Sequence, residues 1–238
     1  MSPGRSGWAR LSGLSDPARA AVWRQAISVG VATGAYGVSF GALAVAAGLS
    51  VAQACVLSLL MFTGGSQFAL VGVVGAGGSS LAAVSTAGML GLRNAFYGLQ
   101  LSAMLRPRGA RRMVAAAVTI DESTAVGTAQ LTISPSRPEL ARLGFWLTAA
   151  AVFVLWNLST LAGAVIGDRL GDPRRYGLDA AAAAAFLALV WPRLRTARPR
   201  VVALCAAAVA LVLVPLSPPG VPVLAAAVVG VLGGWRPE

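Results

Sequence analysis

The chain has no histidine and no lysine, so all 19 of its basic residues are arginine. Without histidine there is no Ser-His-Asp triad, no imidazole ligand for a metal and no imidazole proton shuttle, which excludes most familiar enzyme sites. Cysteine is nearly absent as well. Cys55 and Cys205 each lie alone in an apolar run and read as small buried hydrophobes, not as a disulfide or a ligand pair. Charge is the third shortage: charged residues make up 11% of the chain against 57% hydrophobic, with a mean hydropathy of +0.74, where soluble domains carry about a quarter charged residues. Between Gln25 and Leu92 there is no charge at all, which is room for about three spans of ~20 residues. The chain is expected to be an all-α, polytopic helical membrane protein.

The charges that are present have a pattern. A net charge of +11 suggests nucleic acid in a soluble protein, but here the arginines sit in short clusters between apolar runs, where they report membrane orientation and give no reason to expect a nucleic-acid partner. Residues 1–21 contain Arg5, Arg10 and Arg19, with Arg24 just beyond, and no apolar stretch of signal-peptide type; they read as a cytoplasmic N-terminal tail. Ser15 or Asp16 before Pro17 has the form of a helix start. Residues 22–238 are expected to form a single transmembrane domain, with apolar segments near 22–48, 51–75, 79–105, 111–132, 143–166, 177–191, 199–216 and 220–235, about seven to eight membrane segments in all.

Eight full crossings would place the clusters Arg106–Arg112 and Arg193–Arg200 on opposite sides of the membrane, against the positive-inside rule. The conflict disappears if 51–75 and 177–191 break midway or dip in and return. The first contains "FTGGSQF", and the second has too few apolar residues before Trp191 and Pro192 to span ~30 Å. Every arginine-rich loop except 137–142 then faces the cytoplasm. The same assignment predicts an inverted repeat with halves 22–132 and 143–235, a plan that secondary transporters use around sites at interrupted helices.

The stretch "AAAVTIDESTAVGTAQ" places Asp121 and Glu122 inside an apolar segment. Counted at 1.5 Å per residue from the loop at Arg106–Arg112, Asp121 lies roughly 14 Å deep and Arg93 roughly 18 Å, both near the middle of a ~30 Å core. An ionised group there costs about 2.5–3.5 kcal/mol, so pairing with Arg93 is expected for one carboxylate, leaving the other for a cavity, a proton or a substrate ammonium. The plainer alternative is an ion cluster that specifies the fold. Gln67, Asn94 and Asn157 also fall near mid-depth, where an interhelical hydrogen bond is the simplest role for each. The pairs Gly30, Gly34 and Gly37, Gly41 have the spacing of close helix packing. Gly64, Gly65 and Ser66 suggest a helix break with a new N-terminus that could receive an anion.

Taken in order, "GVSFGALAVAAGLS", "FTGGSQF", "GLRNAFYGLQLS", "TIDES" and "AAFLALVWPRL" resemble the AzlC-type branched-chain amino acid exporters over nearly the whole chain. One departure is Asn94, which stands where a histidine follows the arginine in many members. The resemblance implies export of leucine, isoleucine, valine and methionine across the cytoplasmic membrane, with a small AzlD-type membrane subunit as partner and no cofactor. Combined with the residue reading, it yields an expected substrate site of Gly64, Gly65, Ser66, Gln67, Arg93, Asn94, Asp121, Glu122 and Asn157: the carboxylate at Arg93 and the Gly64 break, the ammonium at Asp121 or Glu122. Two rival readings are a passive channel, for which the polar lining is sparse, and an intramembrane enzyme using the acid pair.

Overall fold

The computed structural model describes residues 16–170, scattered positions between 175 and 191, and residues 194–234. Among the described residues there are nine helices and no strand: α1 (Pro17–Ala46), α2 (Val51–Leu60), α3 (Gly64–Gly75), α4 (Ser80–Leu105), α5 (Ala110–Ala117), α6 (Asp121–Ile133), α7 (Pro138–Leu170), α8 (Ala197–Leu213) and α9 (Val221–Gly234). Runs of Ala, Leu and Val satisfy their backbone groups internally as helices, as a lipid environment demands. Two of the helices, α1 and α7, are long and apolar enough to cross a membrane, with mean hydropathies of 1.6 and 1.9. The expected helix start is present: Asp16 Oδ1 accepts the Ala18 N–H at 3.0 Å, and Pro17 opens the first turn, so residues 17–21 belong to α1. The expected segment 177–191 falls largely outside the described residues.

The order of elements repeats. A long helix (α1 or α4) is followed by a loop with a positive-φ glycine, Gly48 (φ 94°) or Gly109 (φ 56°), a conformation that costs glycine nothing. A half-helix, a three-residue break and a second half-helix then follow, first as α2 and α3 and then as α5 and α6.

The chain divides into two compact units, Met1–Gly34 with Asn94–Leu155 and Ala35–Arg93 with Trp156–Glu238. In the first unit, segment 111–132 departs from expectation because it is not one span. It breaks at 118–120, and α6 runs back alongside α4: Tyr97 donates to Asp121 Oδ1 at 2.9 Å, and a Cβ on Gly127 would lie 3.3 Å from Met104 Cε near the end of α4. The α5–α6 hairpin therefore ends where it began. This also corrects the expected exception among the arginine loops. Arg137 is ion-paired with Asp16 at the start of α1, and Arg142 donates to the Met104 carbonyl at 2.8 Å. Residues 137–142 thus share an end with the N-terminus of α1 and with the Arg106–Arg112 loop. Charge counting had no means of seeing that the α5–α6 segment turns back.

In the second unit the α2–α3 hairpin also returns. A Cβ on Gly75, the last residue of α3, would lie 3.2 Å from Ala47 Cβ, beside the end of α1. The glycine pairs act as expected. Within the first unit, a Cβ on Gly30 would stand 2.8 Å from Ala151 Cβ and one on Gly34 2.9 Å from Leu155 Cβ. Within the second, Cβ atoms on Gly37 and Gly41 would press on the carbonyls of Trp156 and Thr160. The matching four-residue steps mean that α1 and α7 run parallel. At the far end of the chain, α8 and α9 form a hairpin in which Arg198 donates to the Gly233 carbonyl at 3.1 Å.

Candidate functional site at two helix breaks

Helix α2 stops at Leu60 and α3 starts at Gly64, with 61–63 between them. The ends are tied by one side chain: the Gln67 amide Nε2 donates to the carbonyls of Met61 (2.7 Å), Ser58 (3.4 Å) and Leu57 (3.5 Å). Ser58 lies in the last turn of α2 and Met61 caps it; the Leu57 carbonyl also accepts the Met61 N–H at 2.9 Å and the Met61 carbonyl the Thr63 N–H at 2.7 Å, so the glutamine reinforces a turn the backbone has begun to close. At the opposing N-terminus, Thr63 makes no side-chain cap. Gly64 meets the indole of Trp156, near the middle of α7, so closely that a Cβ would lie 3.0 Å from Cη2. Trp156 stacks on Phe40 at 5.9 Å between ring centroids and meets Phe68 edge-on at 6.1 Å. Ser66 faces α4, 3.5 Å from where a Gly91 Cβ would be. Around this tip three buried polar atoms make no hydrogen bond: Ser66 Oγ, Gln67 Oε1 and Trp156 Nε1. Their residues are 1%, 0% and 4% exposed.

The second break, 118–120, is closed differently. Ser123 Oγ donates to the Val118 carbonyl at 2.9 Å and accepts the Ile120 N–H at 3.1 Å. Asp121 and Glu122 form the first turn of α6, where free N–H groups and the helix dipole favour negative charge. The acids are therefore at a helix start, not inside a continuous helix. Their cost in an apolar setting is offset by that N-terminus and, for Asp121, by the Tyr97 hydroxyl. Between α4 and α5 runs a cavity of about 420 Å³ whose lining includes Asn94, Ser102, Arg106, Arg112 and Thr119, reaching from the arginine-rich loop to the residue before the break's last position.

Of the expected site residues, Gly64, Gly65, Ser66, Gln67, Arg93 and Asn157 belong to the second unit, and Asn94, Asp121 and Glu122 to the first. The structure brings Gly64 together with Trp156, the neighbour of Asn157, and brings Ser66 to Gly91, two residues before Arg93. Arg93, Asn94 and Asn157 are each half-buried. Asn94 Oδ1 is buried without a hydrogen bond and lines the α4–α5 cavity. Sequence reasoning missed Tyr97, Ser123 and Trp156. Tyr97 had a usable signal, since it lies one helical turn beyond Arg93 on α4; an indole in the apolar run of α7 had none.

Outside these breaks, Arg137 holds the Asp16 carboxyl below its ordinary value of 3.8.

The family described as AzlC protein matches residues 28–170, more than half of the chain, and the match includes both breaks. No curated protein and no solved structure matches.

Proposed function

The chain belongs to the AzlC family, a membrane-transport family, and on that premise we propose that it is a secondary transporter exporting branched-chain amino acids, with methionine as a further substrate. The observation that supports this most is the start of α3: a half-helix N-terminus with no side-chain cap, facing buried polar atoms without partners. Interrupted helices of this kind are where transporters bind charged substrate groups. The N–H groups at Gly64, Gly65 and Ser66, with Arg93, are assigned the substrate carboxylate; Asn157 borders this tip through Trp156.

Asp121 and Glu122 are assigned the coupling proton, with access along the cavity lined by Asn94 and Thr119. An acid that must exchange a proton needs a wetted route, and the polar groups of Asn94, Ser102, Arg106, Arg112 and Thr119 give this largely apolar cavity places to hold water. The arginine-rich end that holds Asp16, Arg106, Arg112, Arg137 and Arg142 is assigned to the cytoplasm by the positive-inside rule. The protein then resides in the inner membrane with its N-terminus inside, and works with a small AzlD-like membrane subunit. The repeat is drawn at 17–75 and 80–133, shorter than the halves expected from charge counting, with inverted topology. With α7, the C-terminal helices and the two returning hairpins, this makes about seven to eight membrane segments.

Efflux from loaded cells tests the assignment of the acids. Asp121→Asn and Glu122→Gln are expected to lower export at least tenfold in one case or both; full export in both variants removes the pair from the mechanism. Counterflow in vesicles separates this reading from a channel, because substrate outside accelerates exit only through an alternating-access carrier. An enzymatic role for the pair is disfavoured, since adjacent residues on a helix point about 100° apart and do not flank one bond.

A further inference from the structure

We infer that the α2–α3 break holds both ends of an amino-acid zwitterion by itself: Ser66 Oγ and Trp156 Nε1 donate to the carboxylate, and Gln67 Oε1 accepts from the ammonium. This rests on the export reading for the identity of the substrate, and it moves the ammonium away from the acid pair.

The first support is chemical type. An indole N–H can only donate, and Trp156 Nε1 is buried with nothing to donate to. Its ring is fixed by Phe40 and Phe68, so it cannot swing out to find water. Whatever satisfies it must come to it and must be an acceptor. The Ser66 hydroxyl is in the same position, 1% exposed and without a partner. The uncapped N-terminus of α3 adds backbone N–H groups and partial positive charge. A carboxylate, with acceptor sites for about four hydrogen bonds, fits this set of donors.

The second support comes from the other hairpin. Ser123 occupies the same place in α6 that Ser66 occupies in α3, third from the start of the half-helix. There it closes the break itself. In α3 that work is done by the Gln67 amide nitrogen, which releases Ser66 from capping and commits Nε2 while leaving Oε1 buried and unbonded. The residues around the tip therefore carry two unpartnered donors and one unpartnered acceptor, the two kinds of group that an ammonium-carboxylate pair needs. A buried polar atom is satisfied in nearly all proteins, and three unsatisfied atoms at one helix break mark a place for a polar ligand.

The test uses the purified full-length chain in lipid nanodiscs and three probes: leucine, isovalerate, which lacks the ammonium and is one carbon shorter (deaminated valine), and 3-methylbutylamine, which lacks the carboxylate. Titration calorimetry is expected to show Trp156→Phe and Ser66→Ala each weakening leucine and isovalerate by about tenfold or more, with the amine still competing as in wild type. Phenylalanine keeps the aromatic packing; should Trp156→Phe fail to fold, Ser66→Ala decides alone. Unchanged affinity for leucine and isovalerate in both variants overturns the proposal, as does a wild-type chain that binds none of the probes; an amine that never competes overturns its ammonium half. Isovalerate binding lost in the variants, without leucine counterflow in vesicles, keeps the site and removes the export reading. Leucine counterflow with no isovalerate binding keeps the export reading and removes the site.

Discussion

The hairpin of α2 and α3 and the hairpin of α5 and α6 share a layout: two half-helices, three residues between them, and a serine third in the second half-helix. They differ in who closes the gap and in what stands at the new N-terminus. Ser123 ties its own break, and Asp121 and Glu122 meet the N-terminus with charge belonging to the chain. In the other hairpin a glutamine one residue later ties the break and two glycines stand at the N-terminus, so no fixed charge fills it. One tip carries its own negative charge; the other, in the function proposed above, receives it from the substrate. The same backbone plan therefore carries two fixed acids at one helix start and two glycines at the other.

The largest effect that would break this comparison is expected from Gln67→Leu. It removes the ties to Met61 and Ser58 in a fully buried place and should cost about 2–4 kcal/mol, read as a lowered melting temperature in detergent. Ser123→Ala in the other hairpin should cost less, about 1–2 kcal/mol, because one hydroxyl is lost and the Val118 carbonyl it leaves belongs to a half-buried residue. Equal losses would mean that the two closures are equivalent after all. Tyr97→Phe sharpens the acid side: it removes a single hydrogen bond to Asp121 and should lower stability by about 0.5–1.5 kcal/mol, measured by the same melt.

The smallest effect is a pH dependence away from both tips. The Asp16 carboxyl titrates below its ordinary 3.8, so the folded state binds its proton less readily than the unfolded chain. Its stabilisation is fully present above that ordinary value and is lost as pH falls through the lowered one. The Asp16–Arg137 pair is only half-buried, so only a slight drop in melting temperature is expected there, and Arg137→Gln should abolish it.

Much of one hairpin was legible and little of the other. Adjacent Gly64 and Gly65 followed by Ser66 announce a break because glycine weakens a helix and serine suits its first turn, and the structure starts α3 at Gly64. The stretch Val118, Thr119, Ile120 has neither glycine nor proline. Its break depends on Ser123 reaching back across it, a tertiary closure that composition does not announce, although two acids in succession are themselves a first-turn signal. The side of Arg137 was misread for the same reason, since a missed turn-back reverses every later loop. Trp156 was invisible: its importance lies in what its N–H lacks, and that is a property of packing.

The seam between α1 and α7 has a mechanical consequence. At Gly41 and Gly163 each helix backbone rests on the other with no space for a methyl group, so neither rod can slide or roll past its neighbour without collision. Such a joint serves as a fixed frame; in the carrier proposed above, the rearrangement that turns the pathway from one face of the membrane to the other is then left to the short half-helices.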